Sequence, residues 1–174
     1  MIRKTKKDDR LEKRRFGDSQ TTYSKDMIVQ VGSNNYTIDD IPKLISVLKS
    51  AGSSDQQKLH ATRGLRRFMA VANNIEVVNL ILGDNVLPHF VKNLEQGNNW
   101  ELINTTLHAF ASITCTEWIG GVAVEPNAVN NVIQLLHHGE ADVQLGAALV
   151  LANIAVHSVE YRKGLLKLNV LDPL

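Results

Sequence analysis

The stretch "TLHAFASITC" (residues 106–115) has two counterparts in the same chain, "ATRGLRRFMA" (61–70) and "ALVLANIAVH" (148–157). Laid over one another with the third moved by one residue, they match Leu65 with Phe110 and Leu151, and Phe68 with Ile113 and Ile154, at intervals of 45 and 41 residues. Apolar residues spaced three and four apart lie on one face of a helix, so each stretch reads as the same helix presenting the same buried face. A helical unit that recurs at this interval cannot bury its apolar face alone and must stack on its neighbours.

Working outward, each stretch is preceded by a short apolar helix, "IPKLISVLK" (41–49), "LPHFVKNLE" (87–95) and "VNNVIQLLHH" (129–138). Polar turns, "SAGSSD", "QGNN" and "GEAD", separate the short helix from the long one. A third helix follows, "EVVNLILGDN", "EWIGGVAVEPN" and "EYRKGLLKLN", opening on Glu and closing on Asn, which suits the two ends of a helix. A period of about 40–47 residues with short, long and short helices is armadillo geometry. The expected fold is therefore all-α, an armadillo-repeat right-handed superhelical solenoid over residues 37–174, with long helices near 54–70, 99–115 and 140–156 lining a concave surface. The closing "LDPL" (171–174) reads as the start of a further short helix, so a short or incomplete chain is expected.

Ahead of the repeats the pattern changes. Residues 1–16 hold eight Lys/Arg against three Asp/Glu, while residues 26–174 hold ten against fourteen, so a basic arm precedes a mildly acidic body. "GDSQTTYSKD" (17–26) is polar and rich in turn formers, and 17–36 reads as a linker behind a flexible arm. Cys115 is the only cysteine, which excludes an intrachain disulfide and favours a reducing compartment. No apolar run approaches the roughly 18–20 residues of a membrane span, and the charged start is unlike a signal peptide. A soluble protein of the cytoplasm and nucleus is expected, with no membrane partner.

Two stretches, in order, resemble the importin-α (karyopherin-α) family of nuclear-import adaptors. "RKTKKDDRLEKRR" (3–15) is similar to the second half of that family's importin-β-binding arm, and "DVQLGAALVLANIAVHSVEYRKGLLKLNVLDPL" (142–174) to its third repeat running into its fourth. The resemblance implies importin-β and basic nuclear localisation signal peptides as partners. It assigns Arg3, Lys4, Lys6, Lys7, Lys13, Arg14 and Arg15 to the arm, with Lys13-Arg14-Arg15 folding back as a mimic of a localisation signal. The first half of the family's arm has no counterpart here, so weakened importin-β binding is expected.

The same resemblance implies a groove in which Trp and, four residues on, Asn share one helix face and hold the Lys stems and backbone of the cargo signal. At those positions stand His108 and Ser112 in the second repeat and Leu149 and Asn153 in the third, with Glu125 matching the family's acidic residue. Only Asn153 keeps the family identity, and weakened binding of classical signals follows. His108 either offers a polar contact or packs as a partly buried ring. Trp100 and Trp118 sit where their spacing cannot restore the slots.

Other readings of these residues are weaker. Asp8, Asp9 and Glu12 interrupt the basic arm, no aromatic residues interleave for base stacking, and the body is acidic, so no nucleic-acid partner is expected. "HH" (137–138) cannot chelate a metal without further ligands, and Cys115 lacks an evident base and reads as a small apolar filler. Arg63 and Arg67, one turn apart, either face solvent, close one end of the groove or bind an acidic segment. With no paired carboxylates, no Ser-His-Asp order and no cofactor fingerprint, the expectation is a binding protein with no catalytic residues, cofactor or metal. The alternative to a cargo adaptor is a degenerate armadillo scaffold for protein–protein contacts.

Overall fold

The structure, a computed structural model, describes residues 28–72, 75–95, 99–116, 125 and 127–170. The arm residues 1–16, and with them the importin-β assignments, lie outside the described residues, as does Trp118. The described chain begins with an antiparallel hairpin, β1 (Ile28–Val31) and β2 (Asn34–Thr37), followed by a 3-10 turn at Ile38–Asp40. The helices are α1 (Ile41–Lys49), α2 (Asp55–Ala72), α3 (Ile75–Leu82), α4 (Leu87–Leu94), α5 (Trp100–Thr114), α6 (Ala128–Gln134), α7 (Ala141–His157) and α8 (Val159–Lys167).

Local chemistry sets the helix ends. Ser54 and Gln57 exchange bonds at the start of α2, with Ser54 N donating to Gln57 Oε1 at 2.8 Å and Gln57 N to Ser54 Oγ at 3.3 Å. Asn99 Oδ1 accepts from Leu102 N at 3.1 Å to cap α5, and Ser158 Oγ accepts from Tyr161 N at 3.1 Å to cap α8. The repeat also shows in the backbone: Asn85, Asn127 and Asn169, 42 residues apart in each step, all take the left-handed conformation. Asn tolerates that region better than other residues with a side chain, and each lies in a turn beside a helix end.

The long helices α2, α5 and α7 lie side by side, and the matched residues of the three repeated stretches are all buried: Leu65, Phe110 and Leu151 in one row, Phe68, Ile113 and Ile154 in another. Shorter helices pack behind them, with Phe90 of α4 meeting Phe110 edge-on at 6.1 Å between ring centres. Asn93, buried on α4, donates from Nδ2 to Thr62 Oγ1 of α2 and Thr106 Oγ1 of α5, both at 3.4 Å, and so ties the first long helix to the second. The helices form an all-α armadillo-like solenoid. No described helix is long and apolar enough to cross a membrane.

The linker reading of 17–36 needs correction over its second part. Residues 28–36 belong to the hairpin, whose two-residue turn places Gly32 at φ 61°. Val29 and Val31, each only 3% exposed, alternate with exposed neighbours and pack β1 on α2. A solenoid leaves an apolar flank at its first repeat, and the hairpin covers part of that flank.

Candidate functional site

With α2, α5 and α7 alongside one another, the residues left out of the core on each form a rung of one continuous face. On α2 they include Arg63, Arg66 and Arg67; on α5 Glu101, Asn104, His108 and Ser112; on α7 Asp142, Leu145, Leu149 and Asn153. Spacings of three and four residues put each set on one side of its helix. His108, Ser112, Leu149 and Asn153 therefore share one surface, although the structure gives each a different task.

Leu149 is 42% exposed and Leu145 beside it 68% exposed, so the third rung offers aliphatic surface. Ser112 is turned inward along its own helix, its Oγ donating to the His108 carbonyl at 3.1 Å. Asn153 reaches back to the end of α5, where Nδ2 lies 3.2 Å from the Ala111 carbonyl, 3.3 Å from Thr114 Oγ1 and 3.3 Å from Cys115 Sγ. Its donors thus staple α7 to α5. Cys115 is exposed there, not a buried filler, because the helix ends at Thr114 and the next residue lies on the surface.

Glu125 stands half-buried in the bend before α6, where its backbone carbonyl accepts from Ala128 N at 3.2 Å. Its carboxylate makes no hydrogen bond or ion pair among the described residues. Trp100, 40% exposed, begins α5 and lies apart from the rungs at 108 and 149.

Electrostatically the face is graded. Arg63 Nη2 meets Glu101 Oε2 at 3.3 Å across the α2–α5 seam. Arg66, half-buried, has an Nε shielded from solvent with no hydrogen-bond acceptor, and Asn104 Oδ1 is likewise shielded without a donor. Spacing along the sequence singles out Arg63 and Arg67; Glu101 joins Arg63 only where α2 packs on α5, and Asp142 acts from α7 on His108. No described cluster of three His, Cys, Asp or Glu residues is arranged to hold a metal.

Burial, reinforced by Arg66 and opposed by Asp142, pulls the His108 imidazole below its ordinary 6.5. Burial likewise lowers His89, with Lys92, Lys49 and Lys58 adding to it. Above the ordinary value neither folded nor unfolded chain holds these protons, and stability is unaffected. As pH falls through 6.5 the unfolded chain takes them up first, so the folded state loses stability until the lowered folded values are reached. The urea midpoint of the native protein is therefore expected to fall between pH 7.5 and 5.5, and His108→Gln to show a smaller fall; equal falls would remove His108 from this account.

No family profile matches the chain. Over 146 residues it is 30% identical to importin subunit alpha-3 of Arabidopsis thaliana, an alignment that covers 82% of this chain and 27% of the relative. Among solved structures, an engineered protein superposes with a TM-score of 0.68 at 24% identity, covering 77% of this chain and 53% of that one. A computationally designed armadillo repeat protein for modular peptide recognition gives 0.66 at 24% identity, covering 78% and 59%. The chain thus spans about a quarter of the length of the curated relative. The structural likenesses show an armadillo-like scaffold, and the sequence match supports an importin-α-like relationship.

Proposed function

We propose that the chain is an importin-α-like adaptor in nuclear protein import, binding an extended peptide of its cargo on the long-helix face. The observation that supports this best is the single surface on which His108, Ser112, Leu149 and Asn153 fall, in a chain 30% identical to an importin α over 82% of its length. In this reading the arm, through Arg3, Lys4, Lys6, Lys7 and the Lys13-Arg14-Arg15 cluster, contacts importin-β or folds back onto the face. A tethered basic cluster acts at an effective concentration on the order of millimolar, so cargo competes only when a partner holds the arm. The adaptor would then operate in both cytoplasm and nucleus.

A second reading, an armadillo scaffold that contacts proteins without taking classical basic signals, is favoured by a particular pair of observations. Leu149 supplies no π face for a Lys stem, and the Asn153 donors are engaged by α5. Fluorescence anisotropy separates the two. With Lys13, Arg14 and Arg15 replaced by Ala in the full chain, a labelled peptide of five consecutive Lys/Arg residues is expected to bind in the tens of micromolar, roughly tenfold tighter than to the native chain. Absence of binding by this variant at about 1 mM would leave the scaffold reading standing; gain of binding in His108→Trp/Leu149→Trp would show that only the chemistry of the slots has drifted.

A further inference from the structure

The first rung of the face carries more positive charge than its surroundings balance. Arg63, Arg66 and Arg67 lie within five residues of α2. Glu101 pairs with Arg63 at 3.3 Å, and no other ion pair reaches the cluster among the described residues. Arg67 is exposed, while Arg66 is half-buried with its Nε shielded and lacking an acceptor. Burial first, then Arg67 and Arg63, pulls the Arg66 guanidinium below its ordinary value, the signature of a cation held without its counter-charge. Asp142, the acidic residue of the third rung, acts on His108 instead.

Like charges three and four residues apart on a helix oppose folding. A buried polar atom without a partner adds to that cost, so such a cluster calls for an explanation. A guanidinium presents a planar fork of donors that matches a carboxylate. Arg63 and Arg67 stand one turn apart, with Cβ atoms about 6 Å from each other. Alternate side chains of an extended chain are about 6.7 Å apart, so two carboxylates separated by one residue can each meet a guanidinium.

We propose that this face of α2 is a binding subsite for an acidic extended peptide of a partner protein, with Arg67 and Arg63 meeting alternate carboxylates, Arg63 shared between the peptide and Glu101, and Arg66 adding its unmatched charge beside them. Acidic peptide is favoured over nucleic acid because this rung offers no ring for stacking: Phe68, next to Arg67 in the chain, is fully buried, and His60 is hydrogen-bonded to Tyr36. The subsite stands independently of the import-adaptor reading, whose probe is basic.

The test is anisotropy at low salt with the full chain and a labelled nonapeptide of alternating Glu and Ala. Binding is expected to weaken about tenfold in Arg67→Glu, an exposed position where the native circular dichroism spectrum should be kept, and further when Arg66→Gln is added. Replacing Lys13, Arg14 and Arg15 by Ala is expected to leave the affinity within about twofold. The proposal is overturned if Arg67→Glu binds the acidic peptide as the native chain does, if the arm substitutions abolish binding, or if a dT9 oligonucleotide binds more tightly with the same dependence on Arg67. The basic peptide, in contrast, is not weakened by Arg67→Glu, so loss of one activity is distinguishable from loss of the other.

Discussion

Phe110→Ala is expected to lower the stability of the protein by about 4 kcal/mol, more than any other single change considered for this chain. The ring is fully buried in the middle long helix, between the first and third repeats, and meets Phe90 edge-on at 6.1 Å. Its removal opens a cavity in the one layer that both neighbours share, and the aromatic pair is lost as well. Against a typical total of about 5–15 kcal/mol, that is a large fraction. In urea the midpoint should drop by about 2 M. Because stacked repeats cohere through their nearest-neighbour seams, the transition should also broaden. A shift under about 0.5 M would mean that the seams around α5 contribute far less than the packing indicates.

Gly146→Leu should be the next most damaging change. A Cβ at this position would stand 3.1 Å from Asn104 Oδ1, 3.2 Å from Leu107 Cβ and 3.3 Å from Leu107 Cδ1, so the glycine is what lets α7 lie close against α5. A leucine side chain has no room there and must push the two helices apart, at a cost of about 3 kcal/mol. Improved helix propensity returns only about 0.8 kcal/mol of that, leaving a net loss of roughly 2 kcal/mol. Gly146→Ala, needing a yield of only a few tenths of an ångström, should stay close to neutral. The check is a paired thermal melt: a leucine variant as stable as the alanine variant would show that the seam is looser than its distances say.

The fold was legible because repetition supplies several independent readings of one pattern. Leu65, Phe110 and Leu151 each mark a core position, and their common register identifies stacked units even though no single helix would. The hairpin is illegible for the opposite reason. Its strands are four residues each, and the alternation of Val29 and Val31 before Gly32 is too short to stand out from a polar stretch. The rungs could be placed on one face from spacing, but not their chemistry. That Asn153 bonds Ala111, 42 residues earlier, or that Arg66 lacks an acceptor, depends on which side chains meet across a seam.

The amide of Asn153 has a mechanical consequence. It is the fastener between two stacked helices, and it is half-buried on the long-helix face proposed to take the peptide. A ligand that recruits those N–H groups must unfasten them from Ala111 and Thr114, so occupancy of this rung and stiffness of the α5–α7 joint become one thermodynamic variable. Anything that stretches the joint then raises the affinity of the rung, and anything bound to the rung softens the solenoid like a spring with one coil released.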